Sequence, residues 1–370
     1  MSNNAPDPAK DATSTTLLVD LGGTNVRFAL CDPTRNAPLL TDSIRRYHVD
    51  QFASLTAAAR QYLQDGDAHP QDMLIAAAGP VSDDQTVKIT NHPWTIRAST
   101  LQEELKLRSV RLINDFAAQS MAPTLLGPDG QAAVGGPLLP APGKRPVQTF
   151  AVVGPGTGLG VGALLVRDGH PSALESEGGH TGFAPTNATE LDILQRLTQR
   201  YGRVSNERVL CGQGLVNLYE TLCAMAGQTP EQLKPEDITR RADSGGHPLC
   251  VRTVETLVGI FGSVAGDFVL ALGAWDGVYL TGGLMPTLLP WLQRGSFRER
   301  FEAKGRFNDA MRKVPTAAIT AAESGLIGAA ATALHATADT KLRTHGADRQ
   351  RASISPRAAP ASLPSLPRRN

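Results

Sequence analysis

The sequence predicts an α/β fold with mixed sheets, and three observations carry the prediction. Leu17–Val19, Met73–Ala78 and Val110–Ile113 are short buried-strand runs, with stretches of helical spacing between and after them. The first run continues as a strand–glycine turn–strand unit, LLVDLGGTNVRFAL over residues 17–30. A second unit of the same kind, QTFAVVGPGTGLGVGALLV, occupies 148–166. A meander followed by βαβ units is the pattern of an α/β sheet. Two such units point to an internally duplicated fold, although the residues between them show no clear repeat.

In the first unit a single carboxylate, Asp20, interrupts an apolar strand. Gly22 and Gly23 then supply a turn without Cβ atoms, where backbone N–H groups can close on an anion. Val26–Leu30 resume a strand, so the unit is not a P-loop, which leads into a helix. An ordinary β-hairpin would use the same residues. Gly158, Gly160 and Ala163 formally match G-x-G-x-x-A, but they too lead into a strand, whereas a dinucleotide fingerprint opens a helix.

The remaining elements follow in order. Asp42–Tyr47 reads as a strand and Phe52–Leu63 as a helix. Val87–Ile89 is a short strand before Thr90-Asn91-His92-Pro93-Trp94, and Ser99 caps a helix that runs through Lys106. Asn114-Asp115 closes the third buried strand, and Phe116–Leu126 is helical. Gly127–Pro146, rich in Gly and Pro, reads as a surface loop. Beyond Glu177-Gly178-Gly179-His180, helices are expected over Ala188–Tyr201 and Gly212–Ala226, and a long buried one over Pro248–Gly273. Gly277–Leu280 is a strand, followed by Thr281-Gly282-Gly283 and a helix from about Pro286. Lys304-Gly305-Arg306-Phe307 is a charged turn. Ala317–Thr320 is the last strand and Ser324–His335 the last helix.

Composition is ordinary for a globular protein, with 41% hydrophobic and 19% charged residues, and the net charge of +1 gives no sign of nucleic-acid binding. That charge is uneven: residues 336–370 hold seven Lys/Arg against two Asp/Glu, so the rest of the chain is net acidic. Cys31, Cys211, Cys223 and Cys250 are widely spaced, as reduced thiols are, with no disulfide frame or zinc pattern. Residues 1–15 lack the apolar core of a signal peptide. No apolar run reaches the ~18 residues of a membrane span. A cytoplasmic location is expected.

Together the motifs are specific in kind and order. VDLGGTNVRFAL resembles the first phosphate loop of the actin-like superfamily of sugar kinases, actin and ATP-driven chaperones. VVGPGTGLGVGAL resembles its second phosphate loop, and DGVYLTGGLMP its adenosine-side loop. More narrowly, TNHPW, INDFAA, GTGLG, EGGH, ERVLCGQGLVNLYE and KGRF are similar to the proteobacterial-type ATP-dependent glucokinases, from about Leu17 to His335. The related repressor/kinase superfamily carries a Cys-x-Cys-Gly zinc cluster after its Glu-x-Gly-His motif. Here no cysteine follows His180 before Cys211.

The resemblance implies a two-domain actin-like ATPase (ribonuclease H-like) fold with an interdomain cleft. The small domain is expected over 15–126, completed by helix 324–335, and the large domain over 127–323. Residues 1–14 and 336–370 are expected to be disordered tails. The activity implied is transfer of the ATP γ-phosphoryl group to the 6-hydroxyl of D-glucose, with ATP and Mg2+ as cofactors. The expected partners are D-glucose and a second copy of the chain in a homodimer, with no nucleic acid and no membrane. A kinase of another hexose, a non-catalytic ATP- or sugar-binding regulator, and a filament or chaperone ATPase are the rivals. Asp115 argues against the regulator, and the sugar-contacting residues argue against the filament or chaperone.

Phosphoryl transfer needs positioning, charge neutralisation and a proton acceptor. Val19, Asp20, Leu21, Gly22, Gly23 and Thr24 with Gly156, Thr157 and Gly158 can clamp a triphosphate from two sides. Asp20 is placed to hold magnesium through water; otherwise it is a turn residue. Gly282 and Gly283 let the backbone lie against adenosine, or simply make a left-handed turn before a helix. Asp115 is the candidate general base; a carboxylate there would equally serve as a helix N-cap. The resemblance places Asn114, Asp115, Glu177, His180 and Glu207 against glucose, whose hydroxyls call for carboxylates, amides and imidazole. Taken singly, Glu177, His180 and Glu207 would be surface residues.

The tail supplies the first test. Residues 336–370 carry four prolines and few large apolar side chains. A chain ending at Ala338 is expected to keep the melting temperature and kinase activity of the full chain. Loss of either on truncation would show that the tail docks.

Overall fold

The computed structural model describes residues 15–90 and 92–336; the two expected tails lie outside the described residues. Thirteen strands are found among them. The first seven are β1 (Thr16–Leu21), β2 (Asn25–Cys31), β3 (Leu39–His48), β4 (Asp72–Ala77), β5 (Thr86–Lys88), β6 (Thr95–Arg97) and β7 (Ser109–Asn114). They are followed by β8 (Gln131–Gly135), β9 (Val147–Pro155), β10 (Leu159–Arg167), β11 (His170–Ser176), β12 (Gly277–Leu280) and β13 (Thr316–Ile319).

The duplication read from the two glycine units is visible in the topology. One sheet has the order β3-β2-β1-β4-β7, and the other β11-β10-β9-β12-β13-β8. In each, three antiparallel strands form a meander whose first strand pairs in parallel with a later one, and that strand pairs in parallel with the next. β5 and β6 make a small separate hairpin.

Side chains alternate across a strand, and this sorts each sheet into two faces. Leu17, Val19, Leu21 and Phe28 pack with the helix Leu55–Asp65 and its neighbours. Leu18, Ala29, Leu74 and Ala76 pack on the opposite side against Leu326, Ala329 and Ala330 of the last helix, Ser324–Ala336. On the second sheet, Ala151, Val153, Val161, Val278 and Leu280 join the largest core, around the 25-residue helix Pro248–Leu272. That helix is long and apolar enough to cross a membrane, a feature that run-length reading of the sequence passed over, but 72% of its most apolar window is buried inside the molecule. The other face of the sheet, with Phe150, Val152, Leu164 and Tyr279, meets Met121 and Ala331. The helix Asp115–Met121 and the last helix therefore lie between the two sheets.

Several elements differ from expectation. The stretch 127–146 is not all loop: its small-residue run forms β8, an edge strand antiparallel to β13. β6 and β11 and the helices Pro235–Asp243 and Phe297–Glu302 have no counterpart in the sequence reading, being short or strongly polar. Ser99 does not cap its helix. That helix starts at Ala98 directly from β6, and the Ala98 N–H is taken by the Gln85 carbonyl. The helix after Asn114-Asp115 ends at Met121 and continues only as a 3-10 turn, Ala122–Thr124, with Pro123 inside it.

Where the last helix crosses the helix Asp115–Met121, a Cβ on Gly328 would overlap the Ala118 carbonyl. Backbone cannot yield as a flexible side chain can. Gly328→Ala is expected to destabilise by about 1–3 kcal/mol, the range of overpacking, seen as a lower urea midpoint at unchanged m-value. An unchanged midpoint would show that the two helices separate without loss.

Candidate active site

The candidate base belongs to the element between the sheets. β7 ends at Asn114 and the helix begins at Asp115. Asn114, not Asp115, is the N-cap: its Oδ1 accepts from the Phe116 and Ala117 N–H groups at 2.8 and 3.1 Å, and its Nδ2 donates to the Gly79 carbonyl at 3.2 Å. With capping assigned to Asn114, the Asp115 carboxylate accepts from the Phe116 N–H at 2.8 Å. Burial pushes the Asp115 carboxyl up to about 6, and the charges of Asp20 and Glu177 add to the rise against the pull of the Phe116 and Asp115 backbone N–H groups.

The helix is keyed to the second glycine unit by Phe116. Positions 150, 152 and 154 of β9 and 160, 162 and 164 of β10 share one sheet face. At one end that face carries Phe150, Val152 and Leu164; at the other it is all glycine. A Cβ at Gly160 would overlap the Phe116 ring, one at Gly154 would lie 2.9 Å from it, and one at Gly162 would lie 2.7 Å from Ser120 Oγ. These glycines make a slot for the base helix, a role the sequence reading did not assign. Its available signal was the period-two spacing of Gly160 and Gly162, which is a strand face and not a loop.

Glu177, His180 and Glu207 are brought together. His180 Nε2 lies 3.9 Å from Glu177 Oε2, and His180 Nδ1 lies 3.9 Å from Glu207 Oε1. The two turns that carry them are stapled by Asn206, whose Nδ2 donates to Thr181 Oγ1 at 2.9 Å and whose N–H donates to the Thr181 carbonyl. Gly178 and Gly179 allow a close backbone approach, but to β10: a Cβ on Gly179 would overlap the Leu159 carbonyl. Glu207 Oε2 accepts the Leu159 N–H at 2.9 Å and fills the space beside Gly158. The carboxylate thus ties this cluster to the second glycine turn. Glu177 and His180 are mostly exposed, Glu207 less so.

The second and third glycine turns adjoin because β9 and β12 pair in parallel. Gly156 N–H donates to the Gly158 carbonyl at 2.8 Å, and a Cβ on Gly156 would meet Gly283 N at 3.5 Å. Gly282 has φ +96° and lies against the Pro155 carbonyl, where a Cβ would come within 2.5 Å. This is a left-handed turn and a close approach at once. Leu284 N–H closes it onto the Pro155 carbonyl at 3.1 Å.

Around the first turn, Gly22 N–H donates to the Asn25 carbonyl at 3.0 Å and Thr24 is exposed. Val19 and Leu21 are wholly buried, their side chains in the core. Asp20 lies on the face of β1 toward the last helix, and a Cβ on Gly325 would come within 2.6 Å of its Oδ2. Arg27, opposite Asp20 in the β1–β2 register, donates from Nη1 to Oδ2 at 2.7 Å. The pairing extends from Arg27 to Glu323 at 3.4 Å and on to Arg46 at 3.1 Å. Arg27, Glu323 and Gly325 are site residues the sequence reading missed; their signal was an Arg placed across a hairpin from a strand carboxylate. Among the described residues no three His, Cys, Asp or Glu side chains gather as a metal cage. One carboxylate, already half engaged by Arg27, suits magnesium held by water and phosphate oxygens.

Two duplicated sheets, three glycine turns and the Asp115 helix between them define a protein of the actin-like ATPase fold, the fold of the sugar kinases. Residues 17–336 match the family model described as Glucokinase. The chain is 50% identical over 325 residues to a glucokinase of Stenotrophomonas maltophilia (strain K279a), covering 87% of this chain and 96% of that one. It is 48% identical over 321 residues to a glucokinase of Xanthomonas campestris pv. campestris (strain B100), at 86% and 95% coverage. A crystal structure of glucokinase from an Antarctic psychrotroph superposes with a TM-score of 0.76 at 31% identity, over 86% and 98% of the two chains. The chain belongs to the glucokinase family.

The raised Asp115 carboxyl has a stability consequence. Well below its ordinary value of 3.8 the group is neutral whether folded or unfolded, and its burial costs nothing in charge; the cost develops as pH rises from there toward about 6. Above about 6 it is ionised in both states, and the folded state bears the unfavourable charge. Asp115→Asn removes that charge and leaves the Asn114 cap in place. Its melting temperature relative to the parent is expected to rise from pH 4.5 to pH 8. A difference that stays constant across this range would place the Asp115 carboxyl at its ordinary value.

Proposed function

We propose that the protein phosphorylates the 6-hydroxyl of D-glucose with ATP and that Asp115 is the general base. The observation that carries this is the Asp115 carboxyl, lifted to about 6 by burial and by the charges of Asp20 and of Glu177, itself part of the Glu177–His180–Glu207 cluster. A base poised near neutral pH is ionised in use and basic enough to take a proton as phosphorus–oxygen bonding develops.

In this reading Glu177, His180 and Glu207 accept and donate to the ring hydroxyls of glucose, with the free N–H of the Asn114 amide beside them. Sugar bound there presents its 6-hydroxyl to Asp115. The turns at Gly22-Gly23-Thr24 and Gly156-Thr157-Gly158 hold the triphosphate through backbone N–H and threonine hydroxyls. Gly282 and Gly283 let the adenosine lie against backbone. Asp20 holds Mg2+ through water, and the ion would neutralise charge on the phosphate oxygens. The units built on the two sheets, 15–126 with 324–335 and 127–323, draw together on sugar and exclude water that would otherwise accept the phosphoryl group. A homodimer in the cytoplasm, supplying glucose 6-phosphate to glycolysis, is part of the same proposal.

Asp115→Asn tests it. Removing a general base lowers turnover by about 10²–10⁴-fold, so kcat in a coupled assay is expected to fall at least a hundredfold while glucose still binds by calorimetry. In the parent enzyme kcat is expected to decline as pH falls through about 6, where the base becomes protonated. A folded variant that binds glucose and turns over at the parent's rate would leave Asp115 without a chemical role.

A further inference from the structure

Asp115 and Gln119 lie four residues apart on one helix and so share a face. Gln119 reaches across to the other sheet, where its Oε1 accepts a hydrogen bond from Thr281 Oγ1 at 3.1 Å. Thr281 is buried and follows β12 directly, its N–H held by the Val153 carbonyl at 3.0 Å. The next two residues are Gly282 and Gly283, the adenosine-side turn. The methyl of Thr281 and the ring of Phe116 converge on the same missing side chain: a Cβ on Gly154 would lie 2.9 Å from each. The hydroxyl, the ring and the glycine slot thus form one contact between the base helix and the nucleotide turn.

We propose that Thr281 and Gln119 are positioning residues that join the nucleotide turn to the Asp115 helix. The Thr281 hydroxyl fixes where Gln119 sits, Gln119 fixes the rotation of the helix, and the helix sets the distance of the Asp115 carboxylate from the phosphate turns. Placement of the base then depends on how the Gly282-Gly283 turn is arranged, so the nucleotide side of the site governs the efficiency of proton removal on the sugar side. Neither side chain touches the reacting atoms. The inference rests on Asp115 as the base.

The test uses Thr281→Val, which keeps shape and loses the donor, Gln119→Leu, which loses the acceptor, their double variant, and Thr281→Ser, which keeps the hydroxyl. A neutral hydrogen bond corresponds to a few-fold to about tenfold in an equilibrium or rate. Each single variant is expected to lower kcat about three- to tenfold, with glucose affinity measured without nucleotide unchanged. The double variant is expected to be no slower than the slower single, because both remove the same link. Thr281→Ser is expected to retain the parent's kcat. Parent-like kcat in folded Thr281→Val and Gln119→Leu, or losses that multiply in the double variant, would overturn the link. Should Asp115→Asn lower turnover at least a hundredfold while these variants turn over at the parent's rate, only the link fails; should Asp115→Asn turn over normally, the base assignment fails first.

Discussion

The Phe116 ring seated where β9 and β10 have no side chains is the contact on which the arrangement of the site depends. One face of that sheet is packed with Phe150, Val152 and Leu164 at one end and stripped to glycine at the other. A helix can approach the sheet closely only at the stripped end. Because Phe116 follows Asp115 directly, the ring that enters the slot also fixes the carboxylate beside the second glycine turn. Protein interiors transmit strain because they are close-packed, so a methyl group added at Gly160 moves Asp115 as well as the core.

The carboxylates around this contact are differentiated by their surroundings. Asp20 has an arginine opposite it in the hairpin register and the start of the last helix beneath it. Arg27 pairs with it at 2.7 Å. Asp115 also sits at a helix start, yet burial and the charges of Asp20 and Glu177 raise its carboxyl. The two carboxylates thus meet different surroundings, one engaged by an arginine and the other pushed toward neutrality by burial. Glu207 differs again, its Oε2 engaged by the Leu159 N–H while Oε1 faces His180.

Much of this was legible in the chain. The glycine turns mark both sheets, and the apolar runs around them locate β1, β4, β7, β9 and β12 within a few residues. The helices Ala188–Tyr201 and Pro248–Leu272 were likewise readable from their spacing and small-residue content. Glu177 and Glu207, both named from the family motifs, each lie 3.9 Å from His180. What could not be read was contact between distant segments. That Gly160 serves Phe116 and not a phosphate, that Asn114 takes the cap and releases Asp115, and that Gly325 makes room for Asp20 all depend on pairs far apart in sequence or on one hydrogen bond among several equally good ones. β8 and β11 were missed because edge strands have one partner and need less apolar sequence than central ones.

The duplication explains why glycine is so frequent at the site without being used alike. Each half presents a hairpin turn at the same place in the same topology. In the first half the turn is bare and the strand beside it carries a charged residue, Asp20, against the last helix. In the second half the carboxylate is absent and the strand face is hollowed to admit a ring. The two halves therefore enclose the site asymmetrically, one with charge and one with fit. The helix that bears the base takes its start from the first sheet, at Asn114, and its seat from the second, at Gly154 and Gly160. Any closing of one half on the other must carry Asp115 with it, so the position of that carboxylate cannot be set independently of the glycine turns of the second sheet.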